Sequence, residues 1–79
     1  MNPPETLAAL PPGQSGRVDS ILFTGLRAVC HDLGIREGDT VHCRAGTGGV
    51  IVLDTQDGRT VSLARDWARF IRLSEPAES

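Results

Sequence analysis

Hydrophobic and polar residues alternate over much of this chain with the period of two that is typical of β-strands. Four segments carry the strand pattern: 17–22, 40–44, 49–54 and 59–64. In the second of them, Val41 and Cys43 alternate with polar neighbours, which predicts a strand that is buried on one face only. The run Val-Ile-Val-Leu at 50–53 is apolar on both faces, so we expect it to form the central strand of a sheet.

One segment has helical spacing instead. Its apolar positions fall at i, i+3, i+4 and i+7: Leu26, Val29, Cys30 and Leu33. This spacing predicts a helix with one apolar stripe facing the core, and Gly34 stands where helices commonly end in a left-handed residue. The later segment 64–73 is predicted to begin as a helical turn and to end as a short strand through Ile71 and Leu73. The predicted order is therefore β-α-β-β-β followed by a short closing strand.

Closely spaced turn sequences separate these elements and keep them short. The turn segments are 11–16, 34–39, 46–49 and 55–59. The glycine-rich segment 46–49 precedes a strand and not a helix, so it predicts a hairpin turn and not a phosphate-binding loop. Asp57–Gly58 predicts a second hairpin. Short elements joined by tight turns favour a small, mainly-β barrel with one short α-helix over a helical bundle.

The composition fits one small globular domain. The chain has 79 residues, of which 39% are hydrophobic, and its formal net charge is −2. All 8 basic residues are arginines scattered among 10 acidic ones, so no basic patch for nucleic acid is evident. No apolar run approaches the ~20 residues that span a bilayer, and the first residues do not resemble a signal peptide. We therefore expect a cytoplasmic protein without membrane insertion, with flexible ends at 1–6 and 74–79 around a domain at 7–73.

Both cysteines and both histidines lie within one short stretch, an arrangement that raises the question of a metal site. The two pairs are Cys30–His31, on the predicted helix, and His42–Cys43, on a predicted strand. Neighbouring side chains point about 100° apart on a helix and to opposite faces on a strand. We therefore expect the cysteines to pack in the core as small hydrophobes. We also expect the protein to carry no cofactor. A transition metal held by the two outward histidines remains an alternative.

No catalytic constellation is evident from the sequence. Ser15, Ser20 and Ser62 lie outside any Gly-x-Ser-x-Gly motif, and neither histidine has an obvious acidic partner in a concave site. A domain of this size also rarely encloses a substrate pocket, since typical pockets occupy ~300–1,000 Å³. We therefore expect no enzyme activity.

The C-terminal aromatic residues predict a candidate binding surface. If the closing strand turns its odd-numbered residues to the core, Phe70 and Arg72 face the other way. Trp67 lies three residues before Phe70 and can share its face. Exposed Trp, Phe and Arg side chains are typical of binding hot spots, and we expect Trp67 to be partly exposed. The alternative is a satellite cluster that the leucines of the N-terminal arm cover.

Three short motifs follow one another along the chain. They are Leu–x–x–Leu–x–Pro–Gly at 7–13, Leu–Gly–Ile–x–x–Gly–x–x–Val at 33–41, and an apolar-Leu strand followed by Ala–x–x–Ile ending at residue 71. The residues that form them are Leu7, Leu10, Pro12, Gly13, Leu33, Gly34, Ile35, Gly38, Val41, Leu63, Ala68 and Ile71. In this order and spacing the motifs resemble the FeoA family, the small cytoplasmic proteins of bacterial ferrous iron transport. The resemblance spans about residues 7–73.

The resemblance implies an SH3-like β-barrel with an inserted helix. It also implies a non-catalytic accessory or regulatory role in ferrous iron uptake, through contact with the cytoplasmic GTPase region of the membrane permease FeoB. The same module occurs at the C-terminus of DtxR-type iron-dependent repressors, but this chain lacks their DNA-binding domains. Trp67 and Phe70 stand where many relatives carry polar residues, so the resemblance does not assign the partner surface. A small metal-binding sensor or iron carrier using His31 and His42 is the alternative function.

Overall fold

Five strands, one long helix and two short helical turns make up residues 5–74, the part of the chain that the computed structural model describes. In order they are a 3-10 turn Leu7–Ala9, β1 Ser15–Ile21, α1 Thr24–Leu33, β2 Thr40–Thr47, β3 Val50–Asp54, β4 Thr60–Ala64, α2 Arg65–Ala68 and β5 Ile71–Ser74. The predicted order of elements and the mainly-β class with one short α-helix are confirmed. The 3-10 turn was not predicted, because three residues are too few to show a helical period.

The strands form one antiparallel sheet in the order β4-β3-β2-β1-β5. The prediction that 50–53 form the central strand is therefore wrong, because β2 lies at the centre. β2 is long enough to pair with β1 through Thr40–His42 and with β3 through its later residues up to Thr47. One face of β3 is only partly covered, since Val50 is exposed and Val52 is half-buried.

The sheet is curved by two irregularities in its register. One lies in β1 between Val18 and Ser20, and the other lies in β2 between Cys43 and Ala45. Bulges of this kind bend a strand and increase its twist, which lets both halves of the sheet face a common interior. The curved sheet remains open between β4 and β5, and α2 connects these two edge strands across the opening.

The core is one continuous apolar cluster to which all five strands contribute. Its buried members are Leu7, Leu10, Val18, Ile21, Leu26, Cys30, Ile35, Val41, Cys43, Ile51, Leu53, Leu63, Ala68, Ile71 and Leu73. Both cysteines lie in this cluster, which confirms that they face the core. Most of the apolar residues in the three family motifs also lie there, so those motifs describe the framework of the fold.

The buried stripe of α1 is narrower than its sequence predicts. Leu26 and Cys30 are buried, Leu33 is half-buried, and the side chain of Val29 is 50% exposed. The expectation that Val29 belongs to the buried stripe is therefore wrong. Since Val29 lies about 100° around the helix from Cys30, it faces the core only if the helix is broadly covered, and α1 is covered along a single row.

The end of α1 is formed by Gly34, as predicted. Its φ is +94°, its N–H bonds the carbonyl of His31 at 3.0 Å, and the Ile35 N–H bonds that of Cys30 at 2.8 Å. This pair of bonds satisfies carbonyls that a helix end leaves free and directs Ile35 into the core. The two predicted hairpin turns, at 46–49 and at Asp57–Gly58, are confirmed by the ends of the strands that flank them.

The flexible ends predicted at 1–6 and 74–79 lie mostly outside the described residues. Of these residues, Glu5, Thr6 and Ser74 are described, and all three take part in pairing. Thr6 forms an isolated bridge with Arg72, and the Leu73 N–H bonds the Glu5 carbonyl at 3.0 Å. Ser74 pairs with Arg17 of β1. Within residues 5–74, no helix has the length and apolar character needed to cross a membrane.

Candidate partner-binding surface

Two phenylalanine rings meet where the two helical elements adjoin the sheet. Phe23 immediately precedes α1, and Phe70 lies between α2 and β5. Their ring centroids are 4.9 Å apart and their planes are inclined by 72°, an edge-to-face arrangement that aromatic rings favour. The Leu22 N–H also donates to the Phe70 carbonyl at 3.1 Å. Phe70 is half-buried against the core, whereas Phe23 is 50% exposed, so the pair presents an aromatic surface to solvent.

Trp67 lies on α2, one helical turn before Phe70. The Phe70 N–H bonds the Trp67 carbonyl at 3.0 Å and closes this turn. The Trp67 side chain is 53% exposed, which confirms the partial exposure predicted from the sequence. Phe23, Trp67 and Phe70 together are called the aromatic surface below.

Two arginines lie beside the aromatic surface. Arg72 is exposed on β5, and its neighbours Ile71 and Leu73 are buried, so the predicted alternation of this strand is confirmed. Arg69, just after α2, is also exposed. Neither of them has an ion-pair partner among residues 5–74, where the three ion pairs involve other arginines. Asp66, directly before Trp67 on α2, is exposed too. The charges that border the aromatic surface are therefore two arginines and one carboxylate, and none of them forms an ion pair within residues 5–74.

The alternative interpretation, a satellite cluster under the N-terminal arm, describes only part of this region. Leu7 and Leu10 lie in the main core, and Ala68 of α2 is fully buried there. Phe70 packs against the same core, but Trp67 does not share its burial. A role of Trp67, Phe70 and Arg72 in partner binding stays a prediction.

The sequence did not indicate Phe23 as part of this surface. Phe23 and Phe70 are far apart in the chain, and no periodicity connects them. They meet because β1 pairs with β5, with Ile21 opposite Ile71, which brings the chain that leaves β1 beside the chain that enters β5. A long-range strand pairing of this kind leaves no local signal in one sequence.

The two histidines lie on different elements and face solvent to different extents. His31 is exposed in the last turn of α1, and His42 is half-buried on β2. Among residues 5–74, no three His, Cys, Asp or Glu side chains are grouped so that they could hold a metal ion. A metal site that uses His31 and His42 stays a prediction.

The cysteine thiols are held in their neutral form. Burial raises the pKa of Cys30 to about 11, and the nearby Glu37 carboxylate raises it further. Burial also raises the pKa of Cys43, against a smaller opposing effect of the Arg65 charge. Since a thiolate is the form that binds metals and attacks electrophiles, both cysteines are suited to packing and not to ligation.

A polar row crosses four strands on the outer face of the sheet. Ser15 pairs with His42, His42 with Asp54, and Asp54 with Thr60. The Ser15 hydroxyl lies 3.0 Å from Nδ1 of His42, while the Asp54 carboxylate accepts hydrogen bonds from Arg44 at 3.0 Å and Thr60 at 2.8 Å. In a Ser-His-Asp triad the acid occupies Nδ1 and the serine Nε2. The row therefore contains the residue types of a triad but not its geometry.

These features define a class of protein, a small SH3-like β-barrel with an inserted helix and an exposed aromatic surface. The family model described as FeoA domain matches residues 5–75. The chain belongs to the FeoA family, and that membership implies involvement in ferrous iron uptake. None of the curated proteins compared with the sequence matched it.

Solved structures show the same fold. An NMR structure of a FeoA-like protein from Clostridium acetobutylicum is 22% identical, with a TM-score of 0.80, over 100% of this chain and 94% of that one. The crystal structure of an iron uptake regulatory protein (FeoA) is 22% identical, with a TM-score of 0.74, over 85% of this chain and 89% of that one. A manganese-dependent transcriptional repressor complex with manganese is 25% identical, with a TM-score of 0.77, over 92% of this chain but 37% of the repressor. The predicted SH3-like fold is thus confirmed.

Proposed function

We propose that this protein is a non-catalytic, cytoplasmic accessory protein of bacterial ferrous iron uptake, which acts by binding the cytoplasmic GTPase region of a FeoB-type permease. Membership of the FeoA family supports the transport process. The observation that carries the contact is the 53% exposed side chain of Trp67 on α2, one helical turn before Phe70 of the Phe23–Phe70 pair. A large aromatic side chain left in water is stabilised when a partner covers it.

The charges beside the aromatic surface favour an acidic partner segment. Arg69 and Arg72 are exposed and have no ion pair within residues 5–74. Aromatic and arginine side chains are the types most enriched among residues that dominate binding energy. The partner's contact region is therefore expected to carry carboxylates around an apolar centre that receives Trp67.

The test is a binding titration of the protein against the purified soluble region of its cognate permease, with GDP, with a non-hydrolysable GTP analogue and without nucleotide. The Trp67→Ala variant should bind about tenfold more weakly or worse, because it loses the central aromatic contact. Val50→Ala is the matched control, since Val50 is also an exposed apolar residue but lies on β3. Absence of binding in every nucleotide state, or equal weakening by the two substitutions, would count against the proposal.

A further inference from the structure

The last residue of β1, Ile21, turns its backbone groups away from its neighbouring strand β5. The two strands pair up to Ile21, and the next bond of this ladder runs from the Leu22 N–H to the Phe70 carbonyl at 3.1 Å. Successive residues of a strand direct their N–H and carbonyl groups to opposite sides, so those of Ile21 point to the other side of β1. On that side β2 pairs only with residues 15–17, and no strand of residues 5–74 lies opposite Ile21.

Two side chains take the place of a strand beside Ile21. Oε2 of Glu37 accepts the Ile21 N–H at 3.3 Å, and Nη2 of Arg27 donates to the Ile21 carbonyl at 3.2 Å. The two side chains also meet, because Nε of Arg27 lies 3.2 Å from the same Glu37 oxygen. Both are partly exposed overall, but this Nε is buried from water, which strengthens its attraction to the carboxylate. Arg27 and Glu37 together are called the β1 clamp below.

Glu37 reaches Ile21 because the turn that carries it is anchored on β1. The Gly38 N–H donates to the Val18 carbonyl at 2.7 Å, and the Val18 N–H donates to the Asp39 carbonyl at 2.8 Å. These two bonds fix the backbone directly after Glu37. Its carboxylate is therefore held beside the end of the strand.

Arg27 reaches the same residue from the first turn of α1. Its N–H donates to the Phe23 carbonyl at 2.8 Å. Side chains on a helix tilt toward the helix N-terminus, which directs the guanidinium of Arg27 back to Ile21. Arg27 thus ties the beginning of α1 to the end of β1.

The connection between β1 and α1 consists of Leu22 and Phe23 alone. The β1 clamp holds the chain at both ends of this connection, at Ile21 and in the first turn of the helix. The Phe23 ring in turn packs edge-to-face on Phe70, with the ring centroids 4.9 Å apart. Because the connection is only two residues long, a displacement of Ile21 is carried directly to the Phe23 ring.

We propose that Arg27 and Glu37 are positioning residues for partner binding, because they hold Phe23 against Phe70 in the arrangement that the partner contacts. Their effect on the two rings is a property of this chain alone. Their effect on binding rests on the proposed function, in which the aromatic surface contacts the permease. Substitutions in the β1 clamp should therefore change partner binding through Phe23 and not through a contact of their own.

The first test needs no partner. In Glu37→Ala the Ile21 N–H loses its acceptor, so its hydrogen exchange should become about tenfold faster and the NOE contacts between the two phenylalanine rings should weaken. Asp39→Ala is the matched control, since the Asp39 carboxylate lies in the same turn but accepts the Arg36 N–H, at 3.2 Å. Unchanged ring contacts in Glu37→Ala, or the same loss in both variants, would overturn the inference.

Two further measurements decide the matter if Glu37→Ala does not fold. In the natural protein the Ile21 amide should exchange about as slowly as the Leu22 amide, which bonds β5, and free exchange of Ile21 would show that the clamp does not hold it. Glu37→Gln keeps an oxygen that accepts the Ile21 N–H but loses the charge that attracts Arg27. It should keep the Ile21 amide protected and the rings in contact. Loss of both in this variant would contradict a role as a substitute strand.

The second test is a double-mutant cycle in binding to the soluble region of the permease. Glu37→Ala and Phe23→Ala should each weaken binding by about fivefold or more. In the Phe23→Ala background, Glu37→Ala should have little further effect, because the ring that Glu37 positions is gone. The same weakening in both backgrounds would show that Glu37 acts by another route and would overturn the positioning role.

Failure of this inference and failure of the proposed function give different results. If the natural protein does not bind the permease region, the proposed function is wrong, and the ring contacts of Glu37→Ala still decide whether the β1 clamp positions Phe23. If the natural protein binds and Glu37→Ala loses the ring contacts without losing affinity, the proposed function stands and the positioning role in binding is overturned.

Discussion

Gly34, at the end of α1, meets two structural requirements at one position, a positive φ and close contact with another side chain. Gly34 has a positive φ, and a Cβ built on it would meet the guanidinium of Arg59. Arg59 also donates to the Asp32 carbonyl at 3.5 Å, so its charge lies at the negative end of the helix dipole. The glycine is needed both for the backbone turn and for the approach of the β3–β4 hairpin.

Replacement of Gly34 by alanine should therefore destabilise the protein by ~2 kcal/mol, because alanine pays a steric cost at positive φ and also displaces Arg59. Urea unfolding measures the change. Gly25→Ala is the control, since Gly25 lies in α1 with nothing within 4 Å of an added Cβ, and it should be neutral or stabilising by up to ~1 kcal/mol. In the Arg59→Ala background the cost of Gly34→Ala should fall but not vanish. An unchanged cost there would show that Arg59 is not the obstacle.

The cysteines provide a second prediction at the residue scale. With the pKa of Cys30 raised to about 11, little thiolate exists in the folded protein at neutral pH. A thiol reagent at pH 8 should modify Cys30 and Cys43 only as fast as the protein opens, and rapidly in denaturant. The raised pKa of Cys30 also makes the free energy of unfolding depend on pH. Its contribution to stability is fully present below the ordinary thiol pKa of 9.0 and is lost as the pH rises through about 11. Fast modification of the native protein would contradict this prediction.

At the scale of elements, contacts of α2 and the turns around it connect the parts of the chain on either side of the open gap between β4 and β5. Arg65 is the connecting residue, because its backbone N–H bonds Gly49 and its side chain bonds Gly48 and Ala8. These contacts join the β2–β3 hairpin, the 3-10 turn and α2 across the gap that no strand of residues 5–74 closes.

Arg65→Ala should cost ~2 kcal/mol, because two carbonyls lose a charged donor, one of them in a partly buried contact. Arg65→Lys should recover less than half of this, since one ammonium does not reproduce the planar array of donors. Arg69→Ala, which removes a nearby exposed arginine, is the control and should change the free energy of unfolding little. Equal effects of the two alanine variants would contradict a bridging role.

The polar row on the outer face makes a pH-dependent contribution that belongs to the sheet. Two hydrogen bonds hold the pKa of Asp54 below its ordinary value of 3.8. The bond from Arg44 has the larger effect and the bond from Thr60 the smaller one. Because the pKa of Asp54 is lower in the folded protein, its carboxylate stabilises the fold at pH values above 3.8. This stabilisation is lost as the pH falls through the lowered pKa of the folded state.

Asp54→Asn should therefore reduce the loss of stability between about pH 5 and about pH 2 in urea-unfolding series. Asp19→Asn is the control, because Asp19 is exposed and its carboxylate makes no hydrogen bond or ion pair with residues 5–74. The same acid dependence in Asp54→Asn and the natural protein would contradict the assignment.

Local patterns predicted the elements well, and long-range contacts explain what they did not predict. The strand periodicities, the cap at Gly34 and both hairpins depend on neighbouring residues, so one sequence contains them. The central position of β2, the exposure of Val29 and the meeting of Phe23 with Phe70 depend on which strands pair. The bridging role of Arg65 likewise has no local signal, because its partners Gly48, Gly49 and Ala8 lie elsewhere in the chain. In the candidate site, the sequence predicted the exposure of Trp67 but gave no sign that Phe23 lies against Phe70.

At the scale of the whole molecule, the curved sheet of residues 5–74 has two different edges: a short extended segment covers β5, and β4 pairs with no further strand of these residues. The cover at β5 is small, since it consists of the Glu5 carbonyl and the bridge at Thr6. It still makes the two edges of the described sheet different, because β4 has no such cover among residues 5–74.

Removal of this cover should be measurable at one amide. In a chain that begins at residue 7, the Leu73 N–H loses its acceptor, and its hydrogen exchange should become about tenfold faster, corresponding to ~1 kcal/mol. A chain that begins at residue 5 is the control, so that the difference reports Glu5 and Thr6 alone. Unchanged exchange at Leu73 would show that the bond does not form in solution.

The bond between Leu73 and Glu5, at 3.0 Å, has a topological consequence. It places the two ends of the described chain beside each other, so a short linker could join them without moving a strand. New ends could then be opened in the tight turn at Gly48–Gly49, on the surface between β2 and β3. Such a circular permutant keeps every strand next to its present neighbours. We therefore expect the arrangement of this sheet to be separable from the order in which its strands are connected.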